Sequence, residues 1–211
     1  FGVGQHASGT LPRRRGSQAY TTPLVIDVAG QKQVISPGAH HAYAYDPRTG
    51  KEIWYIEYGD GFSNVPQPVY AHGLVYICTG FFQPLLMAVR PDGQGNVTKS
   101  HVSWSYSRAV PLTPSPIVVG EELYMISDAG VATCLDAKSG AARWQQRIGG
   151  NHSASPVWAD GRIHFLSEDG ECAVIAAGRE YRELARNSIE ERTLASIAIS
   201  GKSIYLRGDR H

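Results

Sequence analysis

The chain has 211 residues, a formal charge of +1 at neutral pH, 42% hydrophobic and 18% charged residues. That length permits one or two domains, the well-mixed charge argues against nucleic acid as a partner, and no run approaches the ~18 apolar residues of a membrane-spanning helix. The three cysteines, Cys78, Cys134 and Cys172, have no C-x-x-C spacing; each sits in or beside an apolar run and reads as a buried small hydrophobe outside any complete disulfide framework.

Residues 1–20 follow no pattern. Gly2, Gly4, Gly9 and Gly16, with Arg13-Arg14-Arg15, read as an irregular arm whose arginines are solvated. The chain opens at Phe1 with neither a charged n-region nor an apolar h-region, so no signal peptide is visible and a mature or partial chain is expected.

From residue 21 a phrase repeats: Pro23-Leu24-Val25-Ile26, Pro68-Val69-Tyr70, Pro116-Ile117-Val118-Val119, Pro156-Val157-Trp158, then Ser196-Ile197-Ala198-Ile199 with serine read in place of proline. Intervals of roughly 40–50 residues are those of propeller blades and related arrays. Within a period the pattern is β. Pro116 runs through a turn at Gly120 to Leu123-Tyr124-Met125-Ile126, and Val157-Trp158 through Asp160-Gly161 to Ile163-His164-Phe165-Leu166. Asp-Gly between β-rich runs marks a hairpin. Turns at Asp128-Ala129-Gly130 and Glu168-Asp169-Gly170 follow. The third strand, Ala132 to Leu135, enters a further turn at Asp136 to Gly140, and a fourth carries Trp144. Four short antiparallel strands per period make a propeller blade. A β-sandwich spaces strands similarly but has no reason to repeat the whole phrase.

The turn before the fourth strand carries a resemblance. Ala44-Tyr45-Asp46-Pro47-Arg48-Thr49-Gly50-Lys51-Glu52-Ile53-Trp54 resembles the Ala-x-Asp-x-x-x-Gly-Lys-x-x-Trp docking motif of the PQQ-like, or quinoprotein-like, repeat propellers; Cys134-Leu135-Asp136 through Gly140 to Trp144 repeats it. The second period keeps Ala88 and Trp104 but has Arg90 at the aspartate position and a longer turn, Pro91 to Asn96. The fourth keeps Ile175-Ala176-Ala177-Gly178 and no tryptophan. The resemblance covers residues 21–211 and is nearest to the non-enzymatic branch, the outer-membrane assembly lipoprotein propellers. It implies an all-β propeller of four-stranded antiparallel blades at about 21–61, 62–110, 111–150 and 151–191, with a partial blade at 192–211. The motif itself is structural: the aspartate accepts turn N–H groups, the glycine supplies positive φ, and the tryptophan packs between blades.

About four and a half blades fall short of the upper end of the 4–8 blade range that the resembling families use. The expectation is therefore an open arc that forms a homo-oligomer or joins the missing remainder of a propeller, with a protein partner and no nucleic acid. The resemblance also implies a periplasmic or exported location.

In a propeller, the loops between blades and those joining second to third strands share one face, where binding residues gather. Here that face collects Tyr20, His40, His41, Asn64, Arg108, Asp128, Asn151, His152 and Arg192. His40 or His41 with His152 and Asp128 are the candidates for catalytic or metal chemistry. Adjacent histidines do not readily face one ion and no H-E-x-x-H spacing exists, so no metal site is expected. Arg108 and Arg192 suit an anionic ligand, with Tyr20, Asn64 and Asn151 as further ligand-binding candidates. No G-x-S-x-G elbow occurs, and Ser153 and Ser155 beside His152 are not a triad. The quinoprotein enzymes use a calcium ion, a base aspartate and a vicinal disulfide; this chain has no adjacent cysteines, so neither the quinone PQQ nor calcium is expected. The reading is a protein- or ligand-binding scaffold. The competing one is a metal- or His-assisted hydrolase, or a degenerate quinoprotein oxidoreductase working from the loop face.

Overall fold

The computed structural model describes residues 18–210; the expected arm lies outside them except for residues 18–20. The described residues are all-β, as the repeat predicts. The first sheet holds β1 (Leu24–Val28), β2 (Gln31–Pro37), β3 (His41–Tyr45) and β4 (Glu52–Glu57). The second holds β5 (Val69–Ala71), β6 (Leu74–Cys78), β7 (Leu86–Val89) and β9 (Val102–Tyr106); between the last two, the short β8 (Gly95–Asn96) leaves to run parallel to β4. The third holds β10 (Ile117–Val119), β11 (Glu122–Ile126), β12 (Val131–Asp136) and β13 (Ala142–Arg147). The fourth holds β14 (Val157–Ala159), β15 (Arg162–Leu166), β16 (Glu171–Ala176) and β17 (Glu183–Ser188). A fifth has β18 (Ala198–Ser200) and β19 (Ser203–Tyr205) alone. The hairpin at Asp160-Gly161 has both residues at positive φ, 48° and 73°. This two-residue turn follows the twist of the flanking strands.

The strand pairings align the blades. Val75 opposite Val89, Leu123 opposite Leu135 and Ile163 opposite Ile175 are the same pair in blades 2, 3 and 4. Alternation then gives each blade two apolar faces. Val75, Ile77, Met87 and Val89 pack back onto Trp54 and Ile56 of blade 1, while Tyr76, Leu86 and Ala88 pack forward onto Leu123, Met125 and Leu135 of blade 3. Tyr124, Ile126 and Cys134 meet Ile163, Phe165 and Ile175 in the same way. The contact between blades 4 and 5 is thinner, centred on Ala154, Leu166 and Ile197. Burying both faces explains why the central strands β6 and β11 are buried throughout and, apart from Glu122 at the start of β11, apolar.

The inner ends of the blades are laced by one hydroxyl per repeat. The Gln67 N–H donates to Ser115 Oγ, Ser115 N–H to Ser155 Oγ, and Ser155 N–H to Ser196 Oγ, each at 2.9 Å. This ladder corrects the register of the last repeat: Ser196 is the counterpart of Ser155, and the buried Ile197 takes the place of Pro156. The sequence misled here because the turn between the third and fourth strands of blade 4, Ala176 to Arg182, is one residue longer than its counterpart, Asp136 to Ala141, in blade 3.

The docking turns have a common build. Asp46 Oδ1 accepts the N–H groups of Arg48 and Thr49, and Asp136 Oδ1 those of Lys138 and Ser139. Each fourth-strand indole then docks on the turn of the next blade. Trp104 Nε1 donates to the Ala137 carbonyl at 3.2 Å and Trp144 Nε1 to that of Gly178 at 3.3 Å. The phenols of Tyr76 and Tyr124 donate to the same two carbonyls. Trp54 uses a relay: its Nε1 donates to Gln33 Oε1, and Gln33 Nε2 donates to the Pro91 carbonyl. Trp54 is fully buried, whereas Trp104 and Trp144 keep part of their rings in solvent. In blade 4 the fourth-strand position opposite Val174, equivalent to Trp144 opposite Cys134, is Ala185.

Candidate functional site

The inter-blade loops interlock with the loops between second and third strands on one end of the arc. His40 N–H donates to the Gly61 carbonyl, Phe81 N–H to Phe62, His152 N–H to Asp128, Glu168 N–H to Asn151, and Thr193 N–H to Glu168. This is the face to which sequence assigned the candidates.

Three of those loops use one structural position in the same way. Asn64 Nδ2 donates to the Cys78 carbonyl, His152 Nδ1 lies 3.0 Å from the Leu166 carbonyl, and Thr193 Oγ1 donates to the Arg207 carbonyl. The accepting carbonyls are equivalent, two residues past Tyr76, His164 and Tyr205. All three side chains are buried. Their shared work is to latch an inter-blade loop to the end of a blade's second strand. Asn64 Nδ2 also donates to the Tyr58 hydroxyl, whose single proton lies within reach of both the His41 and the Gly38 carbonyl. In blade 3 the counterpart is Leu112, whose N–H is held by Asp128 Oδ2 at 2.7 Å.

His152 Nε2 lies 3.0 Å from the Gly149 carbonyl as well. Both ring nitrogens thus face acceptors, and a neutral imidazole donates to only one. Burial lowers its pKa, with the two carbonyls and the carboxylates of Glu168 and Asp128 pulling the other way. His40 is at φ 68°, with Nδ1 2.8 Å from the Gly59 carbonyl; His41 stacks on Tyr43 at 5.6 Å. The four metal or catalytic candidates are therefore each engaged locally, and among the described residues no three His, Cys, Asp or Glu side chains converge.

The arginines differ. Arg192 pairs with Asp209 at 3.5 Å, beside a shallow cleft of about 240 Å³ lined in part by Leu194 and Arg207. Arg108 is exposed and forms no ion pair among the described residues. Tyr20 is exposed, its hydroxyl donating to Gln18 Oε1, and Asn151 is exposed with its carbonyl held by Glu168.

Phe81 and Phe82, which sequence reasoning did not single out, lie in the loop between β6 and β7. With Phe62 they form a three-ring cluster, centroids 5.7–6.2 Å apart. Phe81 is 50% and Phe82 70% exposed, and Phe82 sits at φ 87°. Two adjacent phenylalanines at a loop tip were the available signal.

Cys78, Cys134 and Cys172 lie on blades 2, 3 and 4, and all three are free thiols. Together with the engaged loop-face carboxylates and imidazoles, they do not fit a quinone held with calcium and a vicinal disulfide. Among the described residues, no helix is long and apolar enough to cross a membrane.

The family model described as outer membrane protein assembly factor BamB matches residues 18–210. The crystal structure of BamB from Moraxella catarrhalis is similar in fold, with a TM-score of 0.64 and 15% identity over 85% of this chain and 53% of that one. The chain thus spans about half the length of that structure. A europium-containing methanol dehydrogenase overlaps at a TM-score of 0.45 and 12% identity, over 57% of this chain and 24% of that one, too slight a likeness to bear on function. No curated protein matches the chain.

Proposed function

This chain belongs to the family of the outer membrane protein assembly factor BamB, and on that premise we propose that it is a non-catalytic scaffold that binds protein in the cell envelope, without a quinone. The observation that carries the reading is Phe82. A non-glycine residue at φ 87° stores backbone strain, and a phenyl ring 70% exposed gains little from folding. Neither feature stabilises the fold. Both suit a hydrophobic anchor offered to a partner, with Phe62 and Phe81 as its base, since aromatic side chains are enriched at the centres of protein interfaces. Exposed Tyr20 and Arg108 extend the same loop face with the residue types such interfaces favour.

His152 supports this reading over the hydrolase one: it is buried with both ring nitrogens facing backbone carbonyls, whereas a general base or ligand needs a lone pair aimed at the reacting group. A photo-crosslinking residue at position 82 tests it. Discrete protein adducts should form in cell-envelope fractions, and none from the same residue at position 146 on the outer strand of blade 3. Adducts equal at both positions would refute the assignment.

A further inference from the structure

The outer strand of a blade has one edge turned away from its own sheet. In blade 1 that edge is completed from within the chain. The lengthened turn of blade 2 sends β8 alongside β4, parallel to it, with Gly95 opposite Trp54 and Asn96 opposite Tyr55. The Val97 N–H donates to the Tyr55 carbonyl, and the Glu57 N–H to Thr98 Oγ1, both at 2.9 Å. The Val97 side chain is buried in the same cluster as Trp54 and Ile56. One aliphatic residue beside an added strand thus helps to close the outer end of the interface.

Blade 2 lacks both parts of this arrangement. Beyond β9 its sheet has no further strand among the described residues. A strand supplied in the manner of β8 would have to come from the turn of blade 3. That turn is the short form, Asp136 to Ala141, closed on itself by Asp136 and seated on the Trp104 ring at Gly140. Blades 1 and 3, the two neighbours of blade 2, are both in place, so the open edge is independent of any blade before or after them. Blades pack through their sheet faces and not along their outer edges.

Two more features single out β9. The outer strands β4, β13 and β17 each carry charges: Glu52 and Glu57, Arg143 and Arg147, Glu183 and Arg186. Val102-Ser103-Trp104-Ser105-Tyr106 carries none. Charged side chains are a common means of keeping a strand edge from pairing. The indoles differ in the same sense. Val97 lies with Trp54, and the Tyr181 ring meets Trp144 edge to face at 5.2 Å. Over Trp104 stands Gly140, which has no side chain, and the rings of Trp104 and Tyr106 stay half-buried.

We propose that the outer edge of β9 is a strand-addition site for an extended, uncharged segment of a partner protein, which joins blade 2 as β8 joins blade 1. Trp104 opposite Ala88 is equivalent to Trp54 opposite Ala44, so Ser105 stands where Tyr55 does and turns its N–H and carbonyl outward. The incoming N–H donates to the Ser105 carbonyl. The side chain of the same residue, an aliphatic one of about valine size, covers the exposed parts of Trp104 and Tyr106. A charged residue there would be desolvated without a partner. Backbone bonds supply the affinity of such an added strand and the side-chain contact its selectivity. The site uses none of the rings of the Phe62–Phe81–Phe82 cluster, so the two assignments fail separately.

The probe is the chain's own edge-completing segment, the capped peptide of residues 94–98, titrated into the whole isotope-labelled protein. Saturable amide shifts are expected along Ser103–Ser107 and at the Trp104 indole, with β13 and β17 silent. The same peptide N-methylated at its valine cannot donate to Ser105 and should be silent too. Ser105→Pro removes the outward N–H at an edge position where proline is tolerated, and should abolish the shifts. Ser105→Lys keeps that N–H and adds a charge to the edge; it should weaken them, so a folding defect in the first variant leaves the test intact. Absence of a saturable shift, equal shifts on β13 and β17, or binding unchanged in both variants would overturn the proposal. So would a wild-type dimer, seen by light scattering, that Ser105→Lys returns to monomer, because the occupant would then be a second copy.

Discussion

The Trp104 indole of blade 2 lies directly on Gly140 of blade 3, so close that a single added methyl group would strike the ring at 2.6 Å. Gly50 has the same backbone geometry and open space above it. The pair separates two costs that usually come together. Gly50→Ala should lose only the left-handed backbone preference, about 1–2 kcal/mol. Gly140→Ala should lose that and also displace the indole, a further ~1–3 kcal/mol typical of overpacking. Urea midpoints of the two variants check this; equal losses would mean that Trp104 does not rest on the turn.

The three docked tryptophans should rank by burial. Trp54→Ala removes a fully buried ring and leaves the buried Gln33 amide without its donor, at about 3–5 kcal/mol. Trp144→Ala should cost less, because its ring is half-buried and its N–H meets a carbonyl at a blade edge. Trp54→Phe isolates the relay: it keeps most of the apolar area, and orphaning Gln33 Oε1 should still cost about 1–3 kcal/mol. Chemical unfolding of the three variants gives the order, and a Trp144→Ala loss larger than that of Trp54→Ala would contradict it.

Stability should fall on the acid side in two stages. Burial holds the His152 and His164 pKa values below the ordinary 6.5, so the unfolded chain binds protons first. Their contribution is present above about 6.5 and is lost as pH falls through that value toward the folded pKa. Asp136 is held below its ordinary 3.8 by the Ser139 hydroxyl and N–H, then by Arg143, so its contribution persists until pH falls below that value. His152→Asn should keep the latch to Leu166, since Asn64 serves the equivalent position, and should flatten the first stage. Unfolding midpoints between about pH 7.5 and about 5.5 (about a unit either side of an ordinary histidine) report it; parallel curves for the two proteins would remove His152 as the cause.

The thiols should be inert in the folded protein. Burial pushes Cys78 and Cys134 up to about 12 and raises Cys172 as well. Alkylation at neutral pH should therefore be slow for all three and become fast together on unfolding, because the thiolate is the reactive form. Rapid labelling of native Cys78 would show that blade 2 opens locally.

The hydrophobic anchor gives a paired outcome. Phe82→Gly relieves a backbone at φ 87° and removes an exposed ring, so melting temperature should hold or rise while crosslinking from the neighbouring Phe81 position declines. A clear loss of stability would make Phe82 part of the fold rather than of a binding surface.

The sequence alone determined the repeat, the four-strand blade and the docking turns, because these are set by short-range rules. Alternation fixes which side chains share a face, Asp-Gly fixes the hairpin, and Asp46 or Asp136 closes its turn with the next few N–H groups. It also located the loop face. What those loop residues do was decided by tertiary structure. Asn64, His152 and Thr193 read as unrelated polar residues until the fold set all three against the same second-strand carbonyl, a partner 14 residues away along the chain in each case. Register at Ser196 was settled only when the hydroxyl ladder counted the blades. Whether a docking turn is filled depends on which blade stands beside it, and that is a property of the assembled array: Gly140 and Gly50 are alike in sequence, and only the neighbour distinguishes them.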